Sequence, residues 1–282
     1  MIKYGAHAFV WIGEWNTTSG NEAIRAAAKA GAEFIEIPLL DPDGFDAPSH
    51  KHELEQNKIF ATASLVLPKD AHMPDRPKEA LAFLTKALEK VEAIGANYLC
   101  GCIAYHLGHL TGVGPTPAER QTVVDTLGTL AERARGMGIT LGLEACNRYE
   151  TYLYNTLEDT RDTILKVGAP NLKLHADTYH MNIEEEGFRT PILASADVLE
   201  YVHMSESHRG MVGTGTVNWD QVFLALKDAK FSGYLTLESF AAINPALAAA
   251  TCLWRAPKHS GAELAAGGMK FLREHATKYG LS

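Results

Sequence analysis

Short apolar runs alternate along the chain with stretches whose leucines and alanines recur every three or four residues, the signatures of strand and helix. Tyr4 to Trp11 predicts a first strand and Asn21 to Ala30 an alanine-rich helix. Phe34-Ile-Glu-Ile-Pro38 predicts strand two, followed by a loop rich in Asp, Pro and Gly. His52 to Asn57 predicts a short helix ahead of strand three, Ile59 to Leu67. Leu81, Leu84, Leu88 and Val91 share one face of a helix predicted over Pro77–Ile94, which stops at Gly95; Asn97 to Ile103 is strand four. Thr116-Pro117-Ala118-Glu119 starts the next helix with a capping box and a first-turn proline; that helix runs to Arg135 and stops at Gly136. The Gly/Pro-rich stretch from Gly108 to Pro117 reads as a loop between strand and helix.

Four further strands are predicted at Ile139–Glu144, Leu172–Asp177, Leu199–His203 and Tyr234–Glu238. Helices are predicted near Leu157–Val167, Pro191–Ala196 and Trp219–Ala229, and a last one over Ala262–Lys278. Eight strands with helices between them predict an α/β fold, a single (β/α)8 TIM barrel with a C-terminal helical extension, spanning residues 1–282 as one domain. At 282 residues the chain matches the length of such a barrel. The net charge of −8 argues against a nucleic-acid partner, and no apolar run is long enough to span a bilayer. Met1-Ile-Lys-Tyr-Gly5 lacks a signal peptide's layout, and the four cysteines do not suggest a disulfide framework, Cys100 and Cys102 on one face of strand four reading as inert packing thiols; both point to the cytoplasm.

The last four strands each end on a residue that binds protons or metals: Glu144, Asp177, His203 and Glu238. Their spacings of 33, 26 and 35 residues are each about one strand plus one helix. Consecutive parallel strands deliver their C-terminal ends to one face, so three carboxylates and an imidazole would converge there. Like charges tolerate that only around a cation. Oxygen-rich ligation with one imidazole favours a divalent ion, Mn²⁺ ahead of Co²⁺ or Mg²⁺, with zinc left open. Glu150, His180 and Arg209 follow these ligands by six, three and six residues, on loops within reach of whatever the cation holds. Glu36, ending strand two, is a candidate support for a ligand histidine. Gly213 and Gly215 lack the strand–turn–helix setting of a phosphate loop.

These residues resemble a known family, the ketose 3-epimerases of D-tagatose, D-psicose (allulose) and L-ribulose, within the xylose-isomerase-like barrels. The motifs that carry the resemblance are Glu144-x-x-Asn147-Arg148-Tyr149-Glu150 with Asn155-Thr156, Asp177-Thr-x-His180-Met-Asn182, His203-x-x-Glu206-x-x-Arg209-x(3)-Gly213-x-Gly215, and Glu238-Ser-Phe240. It covers essentially the whole chain. The resemblance implies that Glu144, Asp177, His203 and Glu238 ligate the metal and that Glu144 and Glu238 are also the acid/base pair. It further implies that Glu150, His180 and Arg209 hold the oxygens at the sugar's carbonyl end. Phe9, Trp15, Ser64 and Phe240 are expected around the same pocket. So is His7, in a region the family often fills with aromatics.

The expected reaction is epimerisation at C3 of a free ketose through a cis-enediolate. L-ribulose is slightly favoured over D-tagatose, D-psicose and D-fructose. Aldose–ketose or hydroxypyruvate-type isomerisation and sugar dehydration are the alternatives on the same barrel. A multi-zinc endonuclease would need more histidines and a basic face; a binding protein would not need two glutamates at the metal. The apolar patches of Ala241–Ser260, with the resemblance, suggest a homodimer or homotetramer.

Overall fold

The structure, a computed structural model, describes residues 1–281. Eight parallel strands close into a barrel in chain order: β1 (Lys3–His7), β2 (Phe34–Pro38), β3 (Phe60–Val66), β4 (Tyr98–Cys102), β5 (Thr140–Glu144), β6 (Leu172–Asp177), β7 (Leu199–Ser205) and β8 (Tyr234–Glu238). Lys3 lies level with Tyr234, so β1 and β8 seal the seam. The helices are α1 (Thr17–Lys29), α2 (Ala47–Asn57), α3 (Pro77–Ala93), α4 (Pro117–Gly136), α5 (Leu157–Val167), α6 (Thr178–Glu184), α7 (Arg189–Ala194), α8 (Trp219–Asp228), α9 (Pro245–Thr251) and α10 (Gly261–Tyr279). The C-terminal α10 packs over β1 and β8 and completes the outer ring. No helix among the described residues is long and apolar enough to cross a membrane.

Several boundaries differ from expectation for local reasons. The first strand stops at His7 because its Nδ1 accepts from Phe9 N at 3.1 Å and caps a 3-10 turn over Ala8–Val10. α1 starts at Thr17, four residues early, because Asn16 and Ser19 form a reciprocal capping box. Asp46 caps α2 with Pro48 in its first turn, which starts that helix at Ala47. The capping box expected at Thr116 and Glu119 is present. α6 and α9 were not expected; each is only seven residues long.

The barrel interior is built in layers, as this fold requires. Its floor is an aromatic cluster of Phe34, Tyr98, Tyr201 and Tyr234 with Cys100. Two glycines admit those rings. A Cβ at Gly5 would lie 2.4 Å from the Phe34 ring, and one at Gly142 would lie 3.0 Å from the Tyr98 ring and 2.7 Å from the Cys100 Cβ.

One irregularity positions the layer above. Leu174 pairs with Leu199 but His175 pairs with Tyr201, so β7 carries one extra residue there. Asp177 therefore lies level with His203 rather than with Val202. Because a one-residue slip turns a strand's side chains to the other face, this bulge is what aims His203 inward beside Asp177.

Candidate active site

At the C-terminal end of the barrel a cavity of about 670 Å³ opens above these layers. Its wall includes Glu144, Glu150, His180, His203, Arg209 and Glu238, and also His7, Phe9, Trp15, Ser64 and Phe240. Asp177 is buried beside them, with Oδ2 3.5 Å from His180 Nε2 and 3.6 Å from Arg209 Nη1. Of the site residues named from the sequence, all but Asp177 and Glu36 line this space, and those two are buried against residues that do.

Each ligand candidate is held by the chain around it. Asp177 caps α6, its Oδ1 accepting from Tyr179 N at 2.7 Å, which leaves Oδ2 free beside His180 and Arg209. His203 Nε2 meets Glu36 Oε2 at 2.7 Å, and the Tyr201 hydroxyl donates to the same oxygen at 2.6 Å. Glu36 also stands 3.6 Å from His7 Nε2. His203 Nδ1 then faces Glu238 Oε1 at 3.5 Å and Glu144 Oε1 at 4.0 Å.

Charge is unevenly spread over this cluster. Burial, then the neighbouring Cys146, Asp177 and Glu238, push Glu144 well above the usual carboxylate range. Burial and Glu238 raise Asp177 to about 7. Glu238 is also buried, but Arg209, His203 and His7 outweigh that and hold it low. His203 is lifted to about 9, its burial being overcome by Glu36 and Glu238.

Asp177 Oδ2 and His203 Nδ1, level with each other and buried, have no hydrogen-bond partner. Such atoms are costly unless something else satisfies them. An oxygen-rich set with one imidazole, unpartnered in this way, fits a divalent cation. Glu144, Asp177 and His180 bring ligand atoms within 4.8 Å of one another, as do Glu144, His175 and His203.

The surrounding loops hold the polar wall. His180 Nδ1 accepts from Asn147 N at 3.1 Å, which places the ring proton on Nε2, aimed at the cavity. Asn147 Nδ2 also donates to Glu150 Oε1 at 2.9 Å. Arg209 has the left-handed backbone (φ 55°) that non-glycine residues seldom adopt. Its guanidinium lies 3.9 Å from the Tyr179 ring centroid and 5.3 Å from that of Phe240, and it pairs with Glu238.

Glu206, buried, explains the glycines after β7. Its carboxylate accepts from Ser207 N, Gly213 N, Val217 N and Trp219 Nε1 at 2.9 to 3.1 Å. A Cβ at Gly215 would lie 2.5 Å from Glu206 Oε1. The loop amides therefore gather on an internal anion. Burial alone would raise Glu206, but these donors outweigh it and lower its pKa. Its contribution to stability is present above an unfolded value of about 4.3 and is lost as pH falls through the lower folded value. Glu206→Gln turns an amide NH2 toward these donors and is expected to cost about 1–3 kcal/mol, read as a lower unfolding midpoint at neutral pH.

Three residues were missed from the sequence. His175 is buried with both ring nitrogens unpartnered, 3.6 Å from Glu144 Oε2 and edge-on to His203. It stands two before Asp177 on β6, so strand alternation alone would have found it. Tyr201 is placed likewise on β7. Cys102, expected to be inert packing, has Sγ 3.9 Å from Glu144 Oε2. Cys100 does pack inertly, donating to Ala63 O at 3.5 Å.

This closed barrel carries its candidate residues at or near the strand ends, His203 standing two residues before the end of β7 rather than at it, and is a xylose isomerase-like TIM barrel, whose family model matches residues 24–275. Among characterised proteins the chain is 38% identical to L-ribulose 3-epimerase of Methylomonas sp. (strain DH-1), over 97% of both chains. It is 34% identical to ketose 3-epimerase of Arthrobacter globiformis, over 98% of this chain and 97% of that one. A crystal structure of D-allulose 3-epimerase from Methylomonas sp. in complex with D-allulose superposes with a TM-score of 0.93, at 38% identity and 97% coverage of each. The chain belongs to the ketose 3-epimerase family and is a carbohydrate isomerase.

Proposed function

We propose that this enzyme inverts C3 of free ketoses with a divalent cation held by Glu144, Asp177, His203 and Glu238, and with L-ribulose and D-allulose as its first substrates. The sugars follow from the relatives that bear those names. The observation that carries the chemistry is the placement of two glutamates, from β5 and β8, within 4.0 and 3.5 Å of His203 Nδ1. Inversion needs a proton taken from one face of C3 and returned to the other, which two carboxylates in opposite protonation states perform. Glu144 and Glu238 stand on β5 and β8, three strands apart around the barrel, so the two proton-transfer roles fall to different sides of the site. A divalent cation held by Glu144, Asp177, His203 and Glu238 would supply Lewis acidity to the sugar's oxygens. His180 Nε2–H and the Arg209 guanidinium donate to the oxygens on which charge develops, and Glu150, 4.0 Å from each, holds the same end of the sugar with them. Phe9, Phe240 and Trp15 provide apolar wall, and His7 and Ser64 polar wall, for the rest of the sugar. Mn²⁺ is the ion the donor set favours, with Co²⁺ or Mg²⁺ next.

Incubation of Mn²⁺-loaded protein with L-ribulose in D₂O tests the reaction. Deuterium at C3 together with new L-xylulose is the expected result. Label at C2 of an aldose would make the protein an isomerase of the other kind, and no label with either L-ribulose or D-allulose would overturn the reading.

Glu36 reaches across the barrel to His203 and acts on the cation only through that ring. Glu36→Gln is expected to weaken Mn²⁺ binding about 10–100-fold, measured by equilibrium dialysis. The chain is proposed to act as a single domain in the cytoplasm and to assemble as a homodimer or homotetramer. Supporting the last point, the Ala241–Ser260 segment leaves Trp254 74% exposed.

A further inference from the structure

We propose that Cys102, Cys146 and Glu144 form a second cation site, selective for a soft divalent ion such as Zn²⁺ or Cd²⁺, whose occupant withdraws Glu144 from the reaction. Cys102 ends β4, and Cys146 lies two residues beyond the end of β5, the neighbouring strand. Their sulfurs are 3.6 Å apart, and Cys102 Sγ is 3.9 Å from Glu144 Oε2. The three ligand atoms lie within 4.8 Å of one another.

A tetrahedral zinc, with bonds of about 2.3 Å to sulfur and about 2.0 Å to oxygen, sets its ligands about 3.8 Å (S···S) and about 3.5 Å (S···O) apart. The Cys102–Cys146 and Cys102–Glu144 separations of 3.6 and 3.9 Å already stand within a few tenths of an ångström of those values, and the third pair closes within 4.8 Å. Cys146 also falls within ligand range of Glu150 and His180, so a fourth donor is at hand. Both thiols are buried yet form part of the cavity wall, so an ion entering by the sugar's route reaches them.

The chemistry separates this site from the oxygen-rich one beside it. Sulfur donors select zinc and heavier soft ions over manganese or magnesium. Each thiol surrenders its proton to solvent as its sulfur–metal bond forms, with no change of oxidation state. Glu144 spans the two sites. Its Oε2 faces Cys102, while its Oε1 faces His180 at 3.8 Å and His203 at 4.0 Å. A soft ion bound through Oε2 ties up the carboxylate that the proposed epimerisation needs, so the inhibitory half of the inference rests on that reading.

Cadmium alone serves as probe, in protein carrying Cys252→Ser to remove the exposed thiol. Titration is expected to produce an ultraviolet sulfur-to-cadmium charge-transfer band that Cys102→Ser and Cys146→Ser each abolish, circular dichroism confirming their fold. Cadmium binding without the band, or a band that survives in both variants, would overturn the site. In Mn²⁺-loaded enzyme, the Zn²⁺ concentration for half-inhibition should rise at least about tenfold in either serine variant, and unchanged sensitivity would overturn the inhibitory role. The band is read without sugar, so its outcome stands apart from whether the enzyme turns over L-ribulose.

Discussion

Glu238→Gln is expected to lower kcat for C3 epimerisation about 10²–10⁴-fold while the protein stays folded and still binds ketose. The amide keeps the shape of the side chain and its contact with Arg209, but it cannot take a proton. A sharper signature follows from the two-base arrangement. With Glu144 intact, one epimer should still exchange its C3 hydrogen with D₂O without inverting, and the other should not exchange at all. Glu144→Gln should show the reverse preference. Both residues also face His203, so manganese content is measured in parallel; loss of exchange with the ion retained assigns the defect to proton transfer. Equal exchange from both epimers in Glu238→Gln would remove Glu238 from the chemistry.

Chelation is expected to have the second large effect. Prolonged dialysis against a strong chelator should take epimerase activity to background, and Mn²⁺, then Co²⁺, then Mg²⁺ should restore it in that order of effectiveness. The same treatment should lower thermal stability. An ion at 100 times its dissociation constant adds about 2.7 kcal/mol to the folded state, and that increment disappears with it. The physical reason lies in Asp177 Oδ2 and His203 Nδ1, buried atoms left without partners. Activity and unfolding temperature that both survive chelation would argue against a resident cation.

Most of the barrel was legible because each strand is a local pattern. The runs ending in Glu144, Asp177 and Glu238 stop on the residues that the strands do, and β6 and β8 match residue for residue. Glu150, His180 and Arg209 were legible because a short loop cannot carry a side chain far from the strand end it follows. What stayed hidden depends on pairing across the barrel. The slip between Leu174 and His175, which turns His203 inward, leaves no mark in either strand's own sequence. Neither does the approach of Cys146 to Cys102, 44 residues apart. Helix starts were misjudged where the cap lies in a polar loop, as at Asn16 and Asp46, because several residues there have the chemistry to cap.

The residues proposed for the reaction all lie on β5 to β8 and their loops, whereas His7, Phe9, Trp15 and Ser64, proposed for the rest of the sugar, lie on β1 to β3 and theirs. Apart from Phe240, which follows β8, the two proposed roles thus divide between the two halves of the chain. Recombining the first half with that of a relative changes the sugar's surroundings as a block and leaves the proton-transfer apparatus whole. Glu36 crosses the division in the other sense, since it spans the join to His203 and has to be retained in every such hybrid.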